Sequence, residues 1–467
     1  MFLSPESLLQ LLQRFIKNSI QIKQIHSLLI ISGNLLPNPN PNPNSSTFKW
    51  IPTLLYNTLI RAYLNIHLPH TTLLLFTHML SHNIPPNPHT FPSLTKATVA
   101  AYTTPSLIAK PLYTQALKRG VLSDPFVQTS FIHLYAKSNC ISYAQKVFDE
   151  MPEPCLVSCN AMLDGFCKNG DMGSAVSFFE SMPVRDVYSW TTIINGYSKR
   201  GCYDTAIRFF QRCLRDCSVK ANEATFVSVL SACVHSVTFG KQIHGYIIKN
   251  KDQVTPFIGT SLIYLYGKTG HLDYATKVFE SMLKKETCTW NAMICALSSH
   301  GKDKKVLEMF DKMKIEGYHP NEVTFVGILA ACSNCNLINL GLELFYSTLP
   351  QFGVVPKMEH YGCVVDLLGR SGFLAEAKDF ISRMPFEPDA SVLGALLGAC
   401  KLHGDIDLGN EVAKRLLEVD PQQCGQYIVL SSLYADVENW GHAAFLRNVM
   451  VGLGVHKPRG YSFVSSM

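Results

Sequence analysis

One spacing limits what this chain can fold into. Ala144, Ala175 and Ala206 stand 31 residues apart. An aromatic follows each by four residues (Phe148, Phe179, Phe210), and Met151, Met182 or Cys213 comes three further on. Spacing of i, i+4, i+7 sets these side chains on one face of a helix. A second helical segment precedes each, as in Trp190, Ile193, Ile194 and Tyr197. The unit is therefore a helical hairpin, seen most plainly at 125–155, 156–186 and 187–222. Gly165, Gly170 and Gly201 stand where the chain must reverse or helices must approach closely. One hairpin cannot bury two apolar faces, but stacked neighbours can. The period thus predicts an all-α fold, an α-solenoid of roughly ten to twelve helix-turn-helix repeats with no sheet.

The pattern reaches in both directions. Units follow at 53–87 (with Phe76 and Met79), at 88–124, which is longer and worn, and at 223–255, 256–286, 287–321, 322–357 and 358–389. The signature returns at Ala275, Phe279 and Met282. It is degraded to Val306, Phe310, Met313 and to Ala377, Ile381, Met384. A chain of 467 residues exceeds one ordinary core, a limit that a solenoid avoids because each repeat packs only on its neighbours. The expected division is an N-terminal segment 1–52, a repeat array 53–389 and a C-terminal helical region 390–467. The first segment is poor in acid, with Arg14, Lys17 and Lys23 against Glu6, and reads as an organelle transit segment. It also carries Lys23-Gln-Ile-His26, which recurs as Lys241-Gln-Ile-His244, so part of it reads as a worn repeat helix. The run PNPNPNPN at 37–44 lacks an N–H at every second residue and is expected to be an extended linker.

Little points to catalysis. Net charge is +6 and pI near 8.5, mildly basic and compatible with a phosphate-bearing partner. No apolar run is long enough for a membrane span. The 15 cysteines are scattered; Cys140, Cys159, Cys167, Cys233, Cys295, Cys363 and Cys400 mostly lie among apolar helical residues and read as small buried hydrophobes. Cys332 and Cys335 have zinc-type spacing, but no second pair of that form and no His-x-Glu completes a ligand set, so no metal and no cofactor is expected. Cys332 also falls at the end of an expected helix 324–331, where packing is its role. No nucleophile elbow and no phosphate-cradling loop occurs, so the chain is not read as an enzyme. The informative positions are polar residues at one place inside the first helix: Asn57, Thr129, Asn160, Thr191, Thr260 and Asn291. An aromatic stands directly before three of them (Tyr56, Trp190, Trp290). A second place ends each unit: Asn87, Cys155, Asp186, Asn222, Glu286 and Asn321. Helix N-capping explains such residues in one repeat. Six aligned occurrences paired with a mostly polar repeat end favour a solenoid that reads one base per unit.

These residues carry a resemblance. The units resemble pentatricopeptide repeats. Their alternating lengths, with GKQIHGYIIKN (240–250), KVFDEMPEP (146–154) and EHYGCVVDLLGRSG (359–372), are similar to the PLS subclass of land-plant organelles. Residues 390–463 resemble its C-terminal E motifs in GALLGACKLHGDIDLG, in YIVLSSLYADVENW and in the closing Lys457, Pro458, Gly460 and Ser462. Phe463 stands where the family usually has Trp, and the deaminase (DYW) domain of longer relatives does not follow. The resemblance implies a right-handed superhelix that binds organellar single-stranded RNA and selects sites for C-to-U editing. A deaminase-bearing partner, recruited through 390–467, would supply the chemistry. It implies import into the mitochondrion, or alternatively the chloroplast. It also implies the bases: Asn57 with Asn87 and Asn291 with Asn321 for pyrimidines, cytidine preferred in the first; Asn160 with Asp186 for uridine; Thr191 with Asn222 for adenosine. Thr129 with Cys155 and Thr260 with Glu286 lean to a purine. Pro92, Val227 and Val326 take the same place in the longer units and should specify loosely. Two other readings use the same residues. One is an organellar RNA stability, splicing or translation factor. The other is a protein-binding scaffold of tetratricopeptide type, for which the W-x2-L-G-x2-Y signature is missing.

Overall fold

The structure is a computed structural model that describes residues 4–36, 50–102, 104–216, 219–250, 254–419 and 424–455. The linker expected at 37–44 and the closing residues Lys457 to Phe463 lie outside the described residues. Twenty-six α-helices and two short 3-10 turns follow one another, with no strand among the described residues. They fall into two compact units, Met1–Ala232 and Cys233–Met467. The first runs from the pair Pro5–Arg14 and Ser19–Ile31 to the pair Val187–Lys199 and Tyr203–Arg215, and ends with Glu223–Ala232. The second opens with Val237–Asn250 and runs to the pair Cys424–Asp436 and Trp440–Gly452. In chain order this makes thirteen pairs, one above the expected range.

The extra pair is the N-terminal one. Its Ala-to-aromatic signature is gone, yet one contact survives. His26 Nδ1 lies 2.9 Å from Tyr63 Oη. His244 Nδ1, in the second Lys-Gln-Ile-His, lies 2.9 Å from Tyr266 Oη. The same tetrapeptide thus makes the same contact to the next first helix, which identifies Ser19–Ile31 as a repeat helix.

The packing rule is the one the signature implied. Ala144, Ala175, Ala206 and Ala275 are fully buried. Phe179 packs edge-on against Trp190 of the next pair, with ring centroids 4.8 Å apart. Phe279 repeats this on Trp290 at 4.8 Å. Phe76 with Phe91, Phe210 with Phe226 and Phe310 with Phe325 do the same at 5.9–6.0 Å. Tyr56, Trp190 and Trp290, which directly precede the polar place, are therefore core residues, exposed by 3% or less. Burying each such aromatic contributes about 1.5–3 kcal/mol.

Successive first helices meet through small residues, which keeps their polar faces in line. A Cβ on Gly267 would lie 2.7 Å from Ala296 Cβ, and one on Gly369 would lie 2.6 Å from Ala399 Cβ. Neither neighbour can bend away. At the turns the need is different: Gly170 ends its helix at φ 86°, a left-handed conformation that a side chain resists. Gly267→Ala is accordingly expected to destabilise by about 1–3 kcal/mol. Gly245→Ala, within a helix and with nothing within 4 Å of the added Cβ, should instead gain up to about 1 kcal/mol. Thermal melts that place G245A below wild type, or G267A level with it, would contradict this packing.

Candidate nucleic-acid interface

The site begins where each first helix begins. Asp186 and Asn321 have extended backbones and accept from the third helical N–H: Ser189 N–H to Asp186 Oδ1 at 2.9 Å, Thr324 N–H to Asn321 Oδ1 at 3.2 Å. Asn222 Oδ1 accepts from Thr225 N–H at 3.0 Å. The third residue returns a bond: Asp186 N–H donates to Ser189 Oγ, Asn321 N–H to Thr324 Oγ1 and Glu286 N–H to Thr289 Oγ1, at 3.0–3.3 Å. Asp186 and Asn321 thus form capping boxes, while Glu286 has the returned bond without a side-chain cap. The sequence reading set capping against base recognition, but the structure shows capping at the repeat end. Cys155 caps with no side-chain bond.

The two polar places meet. Asn57 Nδ2 donates to Asn87 Oδ1 at 2.9 Å, Asn160 Nδ2 to Asp186 Oδ1 at 3.2 Å and Asn291 Nδ2 to Asn321 Oδ1 at 2.8 Å. A third residue, missed in the sequence, completes each set. Thr90 Oγ1 donates to Asn57 Oδ1 at 2.7 Å, Ser189 Oγ to Asn160 Oδ1 at 2.7 Å and Thr324 Oγ1 to Asn291 Oδ1 at 2.6 Å. All three hydroxyl residues are fully buried. The signal was present: Ser or Thr stands three residues after the repeat end, as a capping box demands.

Threonine units differ. Thr191 Oγ1 lies 2.7 Å from Val187 O, to which it donates, and 2.8 Å from Thr225 Oγ1. Thr260 Oγ1 makes the same contacts to Pro256 O at 2.7 Å and Thr289 Oγ1 at 3.1 Å. Thr129 donates to Pro125 O at 2.7 Å, while Ser158 turns back to Cys155 O at 2.7 Å. With its proton spent on its own helix, a threonine hydroxyl is left chiefly as an acceptor.

In the first unit a groove of about 900 Å³ gathers these faces. Thr129, Cys155, Asn160 and Asp186 line it together with Pro92. Asn57, Asn87, Thr191 and Asn222 sit in the same unit without lining it; Thr260, Glu286, Asn291 and Asn321 belong to the second unit. The second residue of each first helix was also missed. Phe126, Val157 and Tyr188 line the groove yet stand 80%, 66% and 54% exposed. Phe257 and Val323 hold the same position in the second unit, 55% and 51% exposed. An apolar side chain held out at this spacing offers a surface on which a base can stack.

Charge in the groove is mixed. Arg61 and Lys96 face Asp124, Asp164 and Asp186, and Asp164 is paired with Lys168. Burial, with Lys168 nearby, lowers the His133 pKa, so this ring is neutral at pH 7. Burial alone pushes the Asp186 carboxyl up, but bonds from Ser189 N–H and the Asn160 amide outweigh it and hold it below the usual carboxylate range. Cys332 is not at a helix end: its helix runs Glu322–Asn334, and burial pushes the thiol up to about 11. No group of three or more His, Cys, Asp or Glu among the described residues is placed to hold a metal. No helix among them is long and apolar enough to cross a membrane.

Known proteins now give the family. The PPR repeat pattern matches residues 129–153, 157–187, 188–217 and 260–286, and the related PPR repeat family pattern matches 285–334. The chain is 46% identical over 469 aligned positions to pentatricopeptide repeat-containing protein At1g10330 of Arabidopsis thaliana, covering 99% of this chain and 98% of that one. The chain belongs to the pentatricopeptide repeat family. At5g08510, a second Arabidopsis member, is 41% identical over 88% of this chain and 81% of its own. The E motif pattern matches residues 403–465. Among solved structures, maize pentatricopeptide repeat protein PPR10 aligns over 96% of this chain and 74% of its own, at 15% identity and a TM-score of 0.46.

The capping role is testable by itself. Asp186→Ala should cost about 1 kcal/mol at pH 7, and Asp186→Asn far less. The Asp186 carboxyl is held below its unfolded value of about 3.9, so its contribution is full above that pH and is lost as pH falls through the folded value. The melting gap between wild type and D186A should therefore close on acidification below about pH 4. A gap that persists undiminished at the acid end would exclude the carboxylate as its source.

Proposed function

We propose that the protein binds single-stranded organellar RNA, one base per repeat, and selects sites for C-to-U editing, with a deaminase-bearing partner supplying the catalysis. The observation that carries the RNA reading is the pattern of unspent hydrogen-bond capacity at the two polar places. Repeats of this class read one base through two or three side chains.

In the 156–186 unit, Ser189 and Asp186 hold the Asn160 amide so that one N–H remains to give. The bonds to Asp186 from Asn160 Nδ2 and Ser189 N–H both end on Oδ1, so Oδ2 is left as an acceptor. A donor beside an acceptor complements the carbonyl and N3–H of uracil. In the 287–321 unit Asn321 Oδ1 is filled by Asn291 and Thr324, so both residues have N–H groups left. Two donors complement O2 and N3 of cytosine; the 53–87 unit repeats this set with Asn57 and Asn87. In the 187–222 unit Thr191 is the acceptor and Asn222, whose Oδ1 is filled by Thr225, is the donor. That order fits N6–H and N1 of adenine, and the shorter threonine leaves room for a purine. Exposed Phe126, Val157 and Tyr188 would stack against the bases, and Arg61 and Lys96 would meet phosphate. The 125–155 and 256–286 units lean to a purine, and the units with Pro92, Val227 and Val326 specify loosely.

We rest the editing role on the resemblance of residues 390–463 to E motifs. The last helix, Trp440–Gly452, holds Trp440, Phe445 and Val451 out at 63–67% exposure, a surface suited to a protein partner. Residues 390–467 are the proposed docking region. An organellar location is supported by relatives named chloroplastic, or chloroplastic and mitochondrial. The mitochondrion is our first choice.

Two experiments test this. Thr191→Asn with Asn222→Asp turns an acceptor-donor pair into a donor-acceptor pair. It should move the preference of that unit from A to U, measured on oligonucleotides that differ at that one base. Each correct contact is worth about 1–3 kcal/mol by analogy with base-edge readout, so the change should be at least several-fold. Equal ranking by wild type and double variant would remove the base-reading role from this pair. For the cellular role, transcripts of both organelles are sequenced in a loss-of-function plant. Loss of one or a few C-to-U events supports editing; intact editing with altered transcript ends would replace it with a stability or processing role.

A further inference from the structure

The third residue of each unit varies with a residue of the unit before it. Where the polar place holds Asn57, Asn160 or Asn291, the following unit supplies Thr90, Ser189 or Thr324. Where that place holds Thr191 or Thr260, the next unit supplies Thr225 or Thr289. Where it is apolar, the hydroxyl is absent: Pro92 is followed by Val127, Val227 by Ile258 and Val326 by His360. His360 turns instead to the backbone, 2.9 Å from Glu322 O. Gly362 shows that the two positions face each other, because a Cβ there would lie 3.7 Å from Val392 Cγ2, the third residue of the next unit. The one polar place whose partner hydroxyl turns away is Thr129, with Ser158 bonded to Cys155 O.

We infer that this buried hydroxyl is a specificity-determining positioning residue for the unit that precedes it. The inference rests on the base assignments above. In the Asn units the hydroxyl fills Oδ1, so the amide can present only N–H to a base. Without it, a buried amide oxygen lacks a donor, an unfavourable state. The side chain relieves this by turning Oδ1 outward, toward the RNA. The atom offered to the base then changes from donor to acceptor, and selectivity is lost rather than affinity alone. Hence base choice by one unit depends on three residues, one of which belongs to its neighbour.

The test runs in both directions on the full chain. The probes are RNA oligonucleotides that vary at the base read by the 156–186 unit or by the 88–124 unit. Ser189→Ala should lower the U-over-C ratio at the first of these bases several-fold, while Ser189→Thr keeps it. A uniform loss of affinity at constant ratio would mean a structural role only and would overturn the inference. The second arm does not depend on the stability of a loss variant. The 88–124 unit already ends in Asp124, which accepts from Phe126 and Val127 N–H. It lacks only the other two members. Pro92→Asn with Val127→Thr should create a several-fold preference for U at that base, and Pro92→Asn alone should not. An equal gain from the single variant would overturn the inference. Wild-type binding separates this from the underlying reading. If wild type shows no U preference at the 156–186 base, the base assignment itself fails. If it does, and neither arm moves the ratio, only the role of the hydroxyl fails.

Discussion

Five of the hairpins seat an aromatic of their second helix against the opening aromatic of the next: Phe76, Phe179, Phe210, Phe279 and Phe310. Phe179 on Trp190 and Phe279 on Trp290 have the same centroid distance, 100 residues apart. No pair owns a closed core; each borrows its neighbour's face. That constraint fixes the register of successive first helices, and the register decides where their polar residues lie. Small residues at the crossing, such as Gly267 on Ala296, set how closely the helices approach. On the proposed reading, recognition geometry is in this sense a by-product of apolar packing a few residues away.

Much of the fold was legible because a period is a strong signal. The i, i+4, i+7 stripe exposed the second helices, and the 31-residue repeat exposed the stacking. The N-terminal pair was harder to read, since only the Lys-Gln-Ile-His contact remained after the stripe had worn away. Helix ends were also blurred: nothing in the sequence near Cys332 marks that its helix continues to Asn334. The polar pairs were visible as aligned columns. Their union was not, because Asn160 and Asp186 are 26 residues apart and only the turn between hairpins brings them within one bond. The exposed second-position residues such as Phe126 and Val157 were overlooked for a related reason. An apolar residue reads as core unless its direction on the helix is known.

On the proposed reading, capping and recognition share atoms. Asp186 Oδ1 satisfies helix N–H groups, and the same carboxylate, kept ionised by those bonds, retains a second oxygen. The helix terminus thereby prepares its ligand face as it satisfies its own backbone. A side chain held from two directions loses little freedom on binding, so the ordering cost of recognition is met largely at folding.

The hydroxyl contributed from the neighbouring hairpin changes what counts as a module. If units are exchanged between such proteins at the boundary between repeats, each graft arrives without the residue that orients its amide and inherits one chosen for another partner. The natural cassette is shifted. It begins at the fourth residue of one unit and ends after the third residue of the next. Recombination inside that frame would scramble the alphabet while leaving every helix intact.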